Sequence, residues 1–215
     1  MRKYPKRAYA HTRYESCSGE WLPGVTTIVQ LLAKPQLYIW SNKKGLEGID
    51  SEKLKDALAN IGTCAHTLIE YDLMNKEPDL SDYTPDEIKR AQIPFKKFKE
   101  WQKNRNFSAE KVELELVSER HKFGGTCDLY GTLDGKKTLI DIKTSKSCYL
   151  EHKLQVAAYR ELLEENGYKV EQVKILRVGR EGKEGFDELE VTRLETLFSI
   201  FLCLLKVYQL KRELE

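Results

Sequence analysis

The sequence predicts an α/β protein: a mixed central sheet flanked by helices, with a helical N-terminal half. Three observations carry that prediction. Apolar residues recur at helical spacing through the first half of the chain, the period drops to two after Asn106, and the strands that follow are interrupted by one helical stretch, Leu150 to Asn166. The chain has 215 residues, enough to bury roughly 70% of its unfolded surface in one core. No repeat and no Pro/Gly/Ser-rich linker divides it. A single domain over residues 1–215 is expected, mostly helical over 1–106 and sheet-containing over 107–215.

Each element has its own signal. Arg7 to Glu15 alternates weakly, as a strand would. Thr26 to Ala33 and Pro35 to Lys44 favour short helices. Asp50 or Ser51 can cap a long helix reaching about Asn75, with Leu54, Leu58, Ile61, Ala65, Leu68 and Ile69 as its apolar stripe. Thr84-Pro85-Asp86-Glu87 is a capping box, with Thr at N-cap, Pro in the first helical position and Glu at N3. Ile88, Phe95, Phe98 and Trp101 follow at helical spacing. Pro94, lacking a backbone donor, is expected to kink or interrupt that helix.

Val112, Leu114 and Leu116 then alternate with Glu113, Glu115 and Val117 as in a strand. Phe123 to Tyr130 and Thr138 to Thr144 predict two further strands, joined by an Asp134-Gly135 hairpin turn. Leu150 to Asn166 is helical and stops at Gly167, and Val170 to Val178 is a fourth strand. Thr192-Arg193-Leu194-Glu195 predicts a second capping box opening a helix to about Arg212.

Composition excludes several classes. With 36 Lys+Arg against 34 Asp+Glu the formal charge is +2, so a polycation that coats nucleic acid is excluded and any such contact must come from local patches. The five cysteines are scattered and unpaired in spacing, which fits a reducing compartment and offers no zinc or iron–sulfur ligand cluster. The longest apolar run, Leu197 to Leu205, is about half of a membrane span. No apolar stretch follows the basic start, so no signal peptide is expected. These features predict a soluble cytoplasmic protein with no membrane partner.

The residues that break local rules carry the chemistry. Asp141 and Lys143 lie two apart inside the apolar strand Leu139-Ile140-Asp141-Ile142-Lys143, hence on one face. Either they form an internal ion pair or sit on a half-exposed edge strand, or they carry out chemistry that needs them buried. Asp128 lies on the strand paired with it, so both carboxylates can reach one point at the hairpin end opposite the turn. A hard divalent cation would remove their repulsion, and a neighbouring Lys could orient a water or balance charge on a phosphate. Metal-assisted phosphodiester hydrolysis needs that arrangement. His66 and Glu70 share a helix face, as do Gln155 and Tyr159. Glu113 and Glu115 are either exposed strand carboxylates or further ligands.

Taken in order, G-T-C-A-H-T-L-I-E, a strand Glu, G-G-T-C-D, L-I-D-I-K-T-S and Q-V-A-A-Y resemble the RecB-type branch of the PD-(D/E)XK nuclease superfamily. The segment L-P-G-V-T-T-I-V-Q-L-L, with Leu37 and Trp40, is similar to the mitochondrial genome maintenance and phage-type exonucleases of that branch. The resemblance spans Leu22 to Tyr159, and it implies a restriction-endonuclease-like core. It implies that His66, Asp128, Asp141 and the Ile142 carbonyl ligate Mg²⁺ or Mn²⁺, and that Lys143 positions the water and stabilises the transition state. Gln155 and Tyr159 would organise the site or hold the DNA strand. Glu113, preferred to Glu115 because its distance to Asp128 in the sequence better matches the mitochondrial-type pattern, would be an accessory carboxylate. One position departs: Cys127 stands where the superfamily's name has Pro. The iron–sulfur cysteines of some relatives are absent, so no cluster is expected.

In such enzymes N-terminal helices arch over the site and single-stranded DNA threads beneath. Arg2, Lys3, Lys6, Arg7 and Arg13 precede the first acid, and Lys96, Lys97, Lys99, Lys103 and Arg105 interleave with Phe95, Phe98 and Trp101. Those aromatics either fill the core or, with the lysines and Arg7, contact DNA. The resemblance thus implies a metal-dependent exonuclease on single-stranded DNA ends, serving replication, recombination, repair or phage DNA processing. An endonuclease of the same superfamily and a non-catalytic nucleic-acid-binding module are the alternatives.

Overall fold

A computed structural model describes residues 13–215. The expected strand from Arg7 therefore lies partly outside the described residues. Its described end forms β1 (Tyr14–Glu15), which pairs antiparallel with β2 (Trp21–Leu22). Four helices follow: α1 (Val25–Val29), α2 (Pro35–Leu46), α3 (Ser51–Leu73) and α4 (Pro85–Lys103). The sheet strands are β3 (Phe107–Ser118), β4 (Phe123–Leu133), β5 (Lys136–Lys143), β6 (Gln172–Val178) and β7 (Phe186–Glu190), with α5 (Leu150–Glu165) before β6 and α6 (Leu194–Arg212) after β7. Their order in space is their order in sequence. All neighbours are antiparallel except β5 and β6, whose parallel pairing requires the α5 crossover. The result is a mixed five-stranded sheet flanked by helices.

Local chemistry explains most boundaries. Asp50 caps α3, its carboxylate accepting from the Glu52 and Lys53 amides at 3.1 Å each. Thr84 and Glu87 form the predicted capping box on α4. Asp134 and Gly135 both take positive φ, 49° and 83°, as a two-residue hairpin turn matched to strand twist requires.

Two apolar layers sandwich the sheet. Ile28 of α1, Leu154, Ala158 and Leu162 of α5, and Phe201 of α6 pack with Leu139 and Ile175 on one face. Ile69 of α3 with Phe98 and Trp101 of α4 pack against Leu129, Ile140 and Leu176 on the other. Phe98 and Trp101 are therefore core residues, each contributing about 2–3 kcal/mol by burial, and not a stacking surface for bases.

Three expectations need correction. Pro94 does not interrupt α4, which continues through it with the proline buried; tertiary packing outweighs the lost donor. The second capping box does not form, because Arg193 adopts φ 57° without a side-chain cap and Glu195 is engaged by Arg160 of α5. Strand β7, Phe-Asp-Glu-Leu-Glu, is absent from the predicted elements. It is an edge strand whose acids pair across to β6: Glu188 with Lys174 at 2.7 Å and Asp187 with Arg177 at 2.5 Å.

Candidate metal centre

The site begins with a local inversion of β3 and β4. The registers Val112↔Leu129 and Leu114↔Cys127 flank Glu113 and Asp128, which face each other without pairing in the ladder. Glu113 takes φ 49°, a left-handed conformation that costs a non-glycine residue about 1–2 kcal/mol. The backbone reversal has a visible result: Val112 packs with the α3–α4 layer and Leu114 with the α5 layer, although they lie two apart. On β4, Cys127 and Leu129 divide between the layers in the same way.

On the other side of β4 the ladder to β5 stops at Leu129↔Ile140. The two strands diverge just before they reach Asp128 and Asp141. Asp128 Oδ2 fills the gap by accepting the Ile142 backbone N–H at 2.7 Å. A strand residue points its N–H and C=O to the same side, so the Ile142 carbonyl faces the same opening.

His66 arrives from α3. That helix approaches closely because Gly62 has no side chain: a Cβ there would stand 2.9 Å from Thr144 Oγ1. Ala65 beside it is fully buried. His66 Nδ1 lies 3.6 Å from Asp128 Oδ2. One ligand atom each from His66, Glu113 and Asp128 falls within 4.8 Å of the others. Two carboxylates and an imidazole converging on one point suit a hard divalent cation, which cancels their repulsion.

Asp141 stands outside that trio. It is fully buried, and Lys143 Nζ lies 2.7 Å from its Oδ2. The contact is an ion pair without hydrogen-bond alignment, and among the described residues no hydrogen bond reaches either oxygen. Burial pushes the Asp141 carboxyl up to about 7; Lys143 opposes that rise and Asp128 adds to it. Burial alone would lower the Lys143 ammonium, but Asp141 and Asp128 hold it above its ordinary value. A buried carboxylate with acceptor capacity unused, at the position that the β4–β5 register sets opposite Asp128, strengthens the fit of the site to a cation.

The α5 residues close the other wall. Gln155 Nε2 donates to Tyr159 Oη at 2.7 Å. Tyr159 is buried, and burial followed by the Asp141 charge raises its phenol well above the ordinary value, so it stays protonated. Gly125 makes room: a Cβ there would lie 2.7 Å from Tyr159 Cε1. Tyr14, which no sequence signal marks, bonds through its hydroxyl to Thr126 Oγ1 at 2.9 Å and lies across Gly124.

The structure thus brings His66, Glu113 and Asp128 together, sets Asp141 and Lys143 behind them, and lines the far wall with Gln155 and Tyr159. Glu115 points to solvent, and Glu70 is half-buried outside the trio. Of the residues proposed to contact DNA, Lys96 is exposed. Lys97 is not: it is 8% exposed, its ammonium donating to the Gly179 and Glu181 carbonyls. It ties α4 to the β6–β7 connection and cannot meet a phosphate. Arg7 lies outside the described residues.

No family model and no curated protein matches the chain. Among solved structures it is similar to SSO0001 at 16% identity, over 70% of this chain and 74% of that one, with a TM-score of 0.34. Among the described residues no helix is long and apolar enough to cross a membrane.

Proposed function

We propose that the protein is a metal-dependent deoxyribonuclease of the RecB-like PD-(D/E)XK type, with a restriction-endonuclease-like core, acting as an exonuclease on single-stranded DNA ends. The observation that carries this reading is the convergence of His66, Glu113 and Asp128 beside the Asp141–Lys143 pair. These groups come from one helix and three adjacent strands, and neither solubility nor core packing calls for them there.

His66, Glu113 and Asp128 would hold Mg²⁺ or Mn²⁺, with the Ile142 carbonyl facing the same opening and Asp141 paired with Lys143 behind them. The bound cation would supply Lewis-acid polarisation of a phosphoryl oxygen. Lys143, kept charged by its two carboxylate neighbours, orients the attacking water and balances the charge that gathers on the phosphate oxygens. The water oxygen bonds to phosphorus as the bond to the leaving sugar oxygen breaks, and that oxygen takes a proton. A preorganised charge of this kind contributes about 10²–10³ in rate. Gln155 and Tyr159 line the wall against which the strand lies.

Labelled linear and circular single-stranded DNA, incubated with Mg²⁺, Mn²⁺ or EDTA beside an Asp128→Ala control, test the proposal. Metal-dependent loss of the linear substrate alone is expected. Cutting of the circle would make the protein an endonuclease, and binding without cleavage of either would make it a non-catalytic module.

A further inference from the structure

The α5 face that carries Gln155 and Tyr159 has a third member. His152 lies three residues before Gln155 and seven before Tyr159, so the three share one side of the helix. The stripe runs from Tyr159, which is buried, to His152, which is half-buried at the start of the helix. His152 Nδ1 accepts the Tyr149 backbone N–H at 3.3 Å, and the two rings meet edge to face with centroids 5.4 Å apart. With Nδ1 an acceptor, the neutral ring carries its proton on Nε2. Among the described residues Nε2 has no protein partner.

The surroundings keep the ring neutral. Burial first, then the Lys143 ammonium, lower the His152 imidazole to about 4; Glu151 opposes them, and Lys34 adds a smaller lowering. Glu151 is itself paired with Lys34 at 3.2 Å. A neutral donor therefore stands on the α5 face that carries Gln155 and Tyr159, within the electrostatic reach of the Lys143 and Lys34 ammonium groups. Such a place suits a phosphodiester oxygen.

We infer that His152 is a further substrate contact, donating Nε2–H to a backbone phosphate of the nucleic acid held against α5. This rests on the phosphodiesterase reading above and adds to it a residue that binds the strand without contributing charge. His152→Phe keeps a ring and loses the donor, whereas His152→Gln keeps a donor at nearly the same reach.

The test uses the full chain and a labelled single-stranded oligonucleotide. Affinity is read by fluorescence anisotropy with Ca²⁺ in place of Mg²⁺, and kcat and KM are read with Mg²⁺. His152→Phe should raise both Kd and KM about tenfold, as loss of one hydrogen bond to a charged group does, with kcat nearly unchanged. His152→Gln should stay close to the wild type. The slope of log affinity against log salt should not change in either variant, because a neutral donor releases no counterion. An active wild type with unaltered binding in His152→Phe overturns this inference alone, as does a salt slope shallower by about one. A wild type that neither binds nor cleaves the oligonucleotide overturns the phosphodiesterase reading and this inference with it.

Discussion

Asp128 Oδ2 accepts the backbone N–H of Ile142 at 2.7 Å, so a side-chain carboxylate stands where an antiparallel ladder would offer a main-chain carbonyl. The bond fixes one oxygen of the acid against the neighbouring strand. It also lies in the opening where β4 and β5 diverge, which is where His66 and Glu113 converge on it.

Metal should stabilise the fold through that group. Mn²⁺ at a hundred times its Kd should add about 2.7 kcal/mol, a rise in Tm of roughly 5–10 °C for a chain of this size. His66→Ala and Asp128→Asn should lose most of that rise in thermal melts. Undiminished rises in both variants would remove these residues from the ligand set.

Lys143→Met should destabilise the protein in a pH-dependent way. It leaves Asp141 buried without its cation, at a cost of about 3 kcal/mol when the acid is charged. The folded form holds the Asp141 proton up to about 7, above the unfolded value of 3.8. Its contribution is therefore complete below the unfolded value and is lost as pH rises through the folded one. Without Lys143 the folded value climbs further. Urea titrations should show a large loss near pH 8 and a smaller one near pH 5.5, and equal losses would show that Asp141 does not titrate in this range.

His152 shifts stability the other way. Its folded value, about 4, lies below the ordinary 6.5, so the unfolded chain takes the proton first. Stability from this group is present above 6.5 and is lost as pH falls toward 4. The stability difference between wild type and His152→Gln should shrink over that window in denaturant titrations. A difference that does not vary with pH would count against a ring buried in its neutral form.

Glu113 offers a test of function against strain. With φ at 49°, Glu113→Gly relieves a conformation that Glu113→Gln retains. The glycine variant should be the more stable by about 1 kcal/mol, and both should lose cleavage. If the glutamine variant equals or exceeds the glycine variant in stability, the strain is not there to be relieved.

Gly125→Ala tests the α5 wall. The added methyl meets Tyr159 Cε1 at 2.7 Å, so α5 or the ring must move, at about 1–3 kcal/mol. Activity should fall more than the stability loss explains, because Gln155 is carried with Tyr159. Wild-type turnover in a folded Gly125→Ala would show that the wall tolerates displacement.

Much of this architecture is legible in the sequence because local chemistry and tertiary structure agree at its boundaries. Thr84 with Glu87, Asp134 with Gly135, and the apolar stripe of α3 each specify their element alone. Strand β7 is illegible because its acids, Asp187 and Glu188, find their partners only on β6. The Thr192–Glu195 box fails for a similar reason: Arg160, distant in sequence, competes for Glu195. Within the site, Asp128, Asp141 and Lys143 stand out as polar groups on apolar strands, whereas His66 reads by itself as one of a surface pair with Glu70 and enters only through the resemblance. Glu113 ranks no higher than an accessory from sequence: a period of two puts it with Glu115, the resemblance alone prefers it, and the backbone reversal that turns it toward Asp128 has no local signal. The lysines of α4 mislead because helical spacing cannot tell a solvated lysine from Lys97, whose partners lie on the β6–β7 connection.

The divergence of β4 and β5 also bears on the order in which the protein can assemble. Hairpins close in microseconds, and Asp128, Asp141 and Lys143 all ride on the β4–β5 hairpin, with Glu113 on the strand beside it. His66 belongs to a helix made much earlier in the chain and joins them only when α3 docks, with Gly62 against Thr144. A nascent or partly folded chain thus holds its carboxylates without the imidazole, and should grip a divalent ion poorly. Metal binding would then wait on the docking of α3, and the onset of Mn²⁺ binding in a refolding experiment would time that docking.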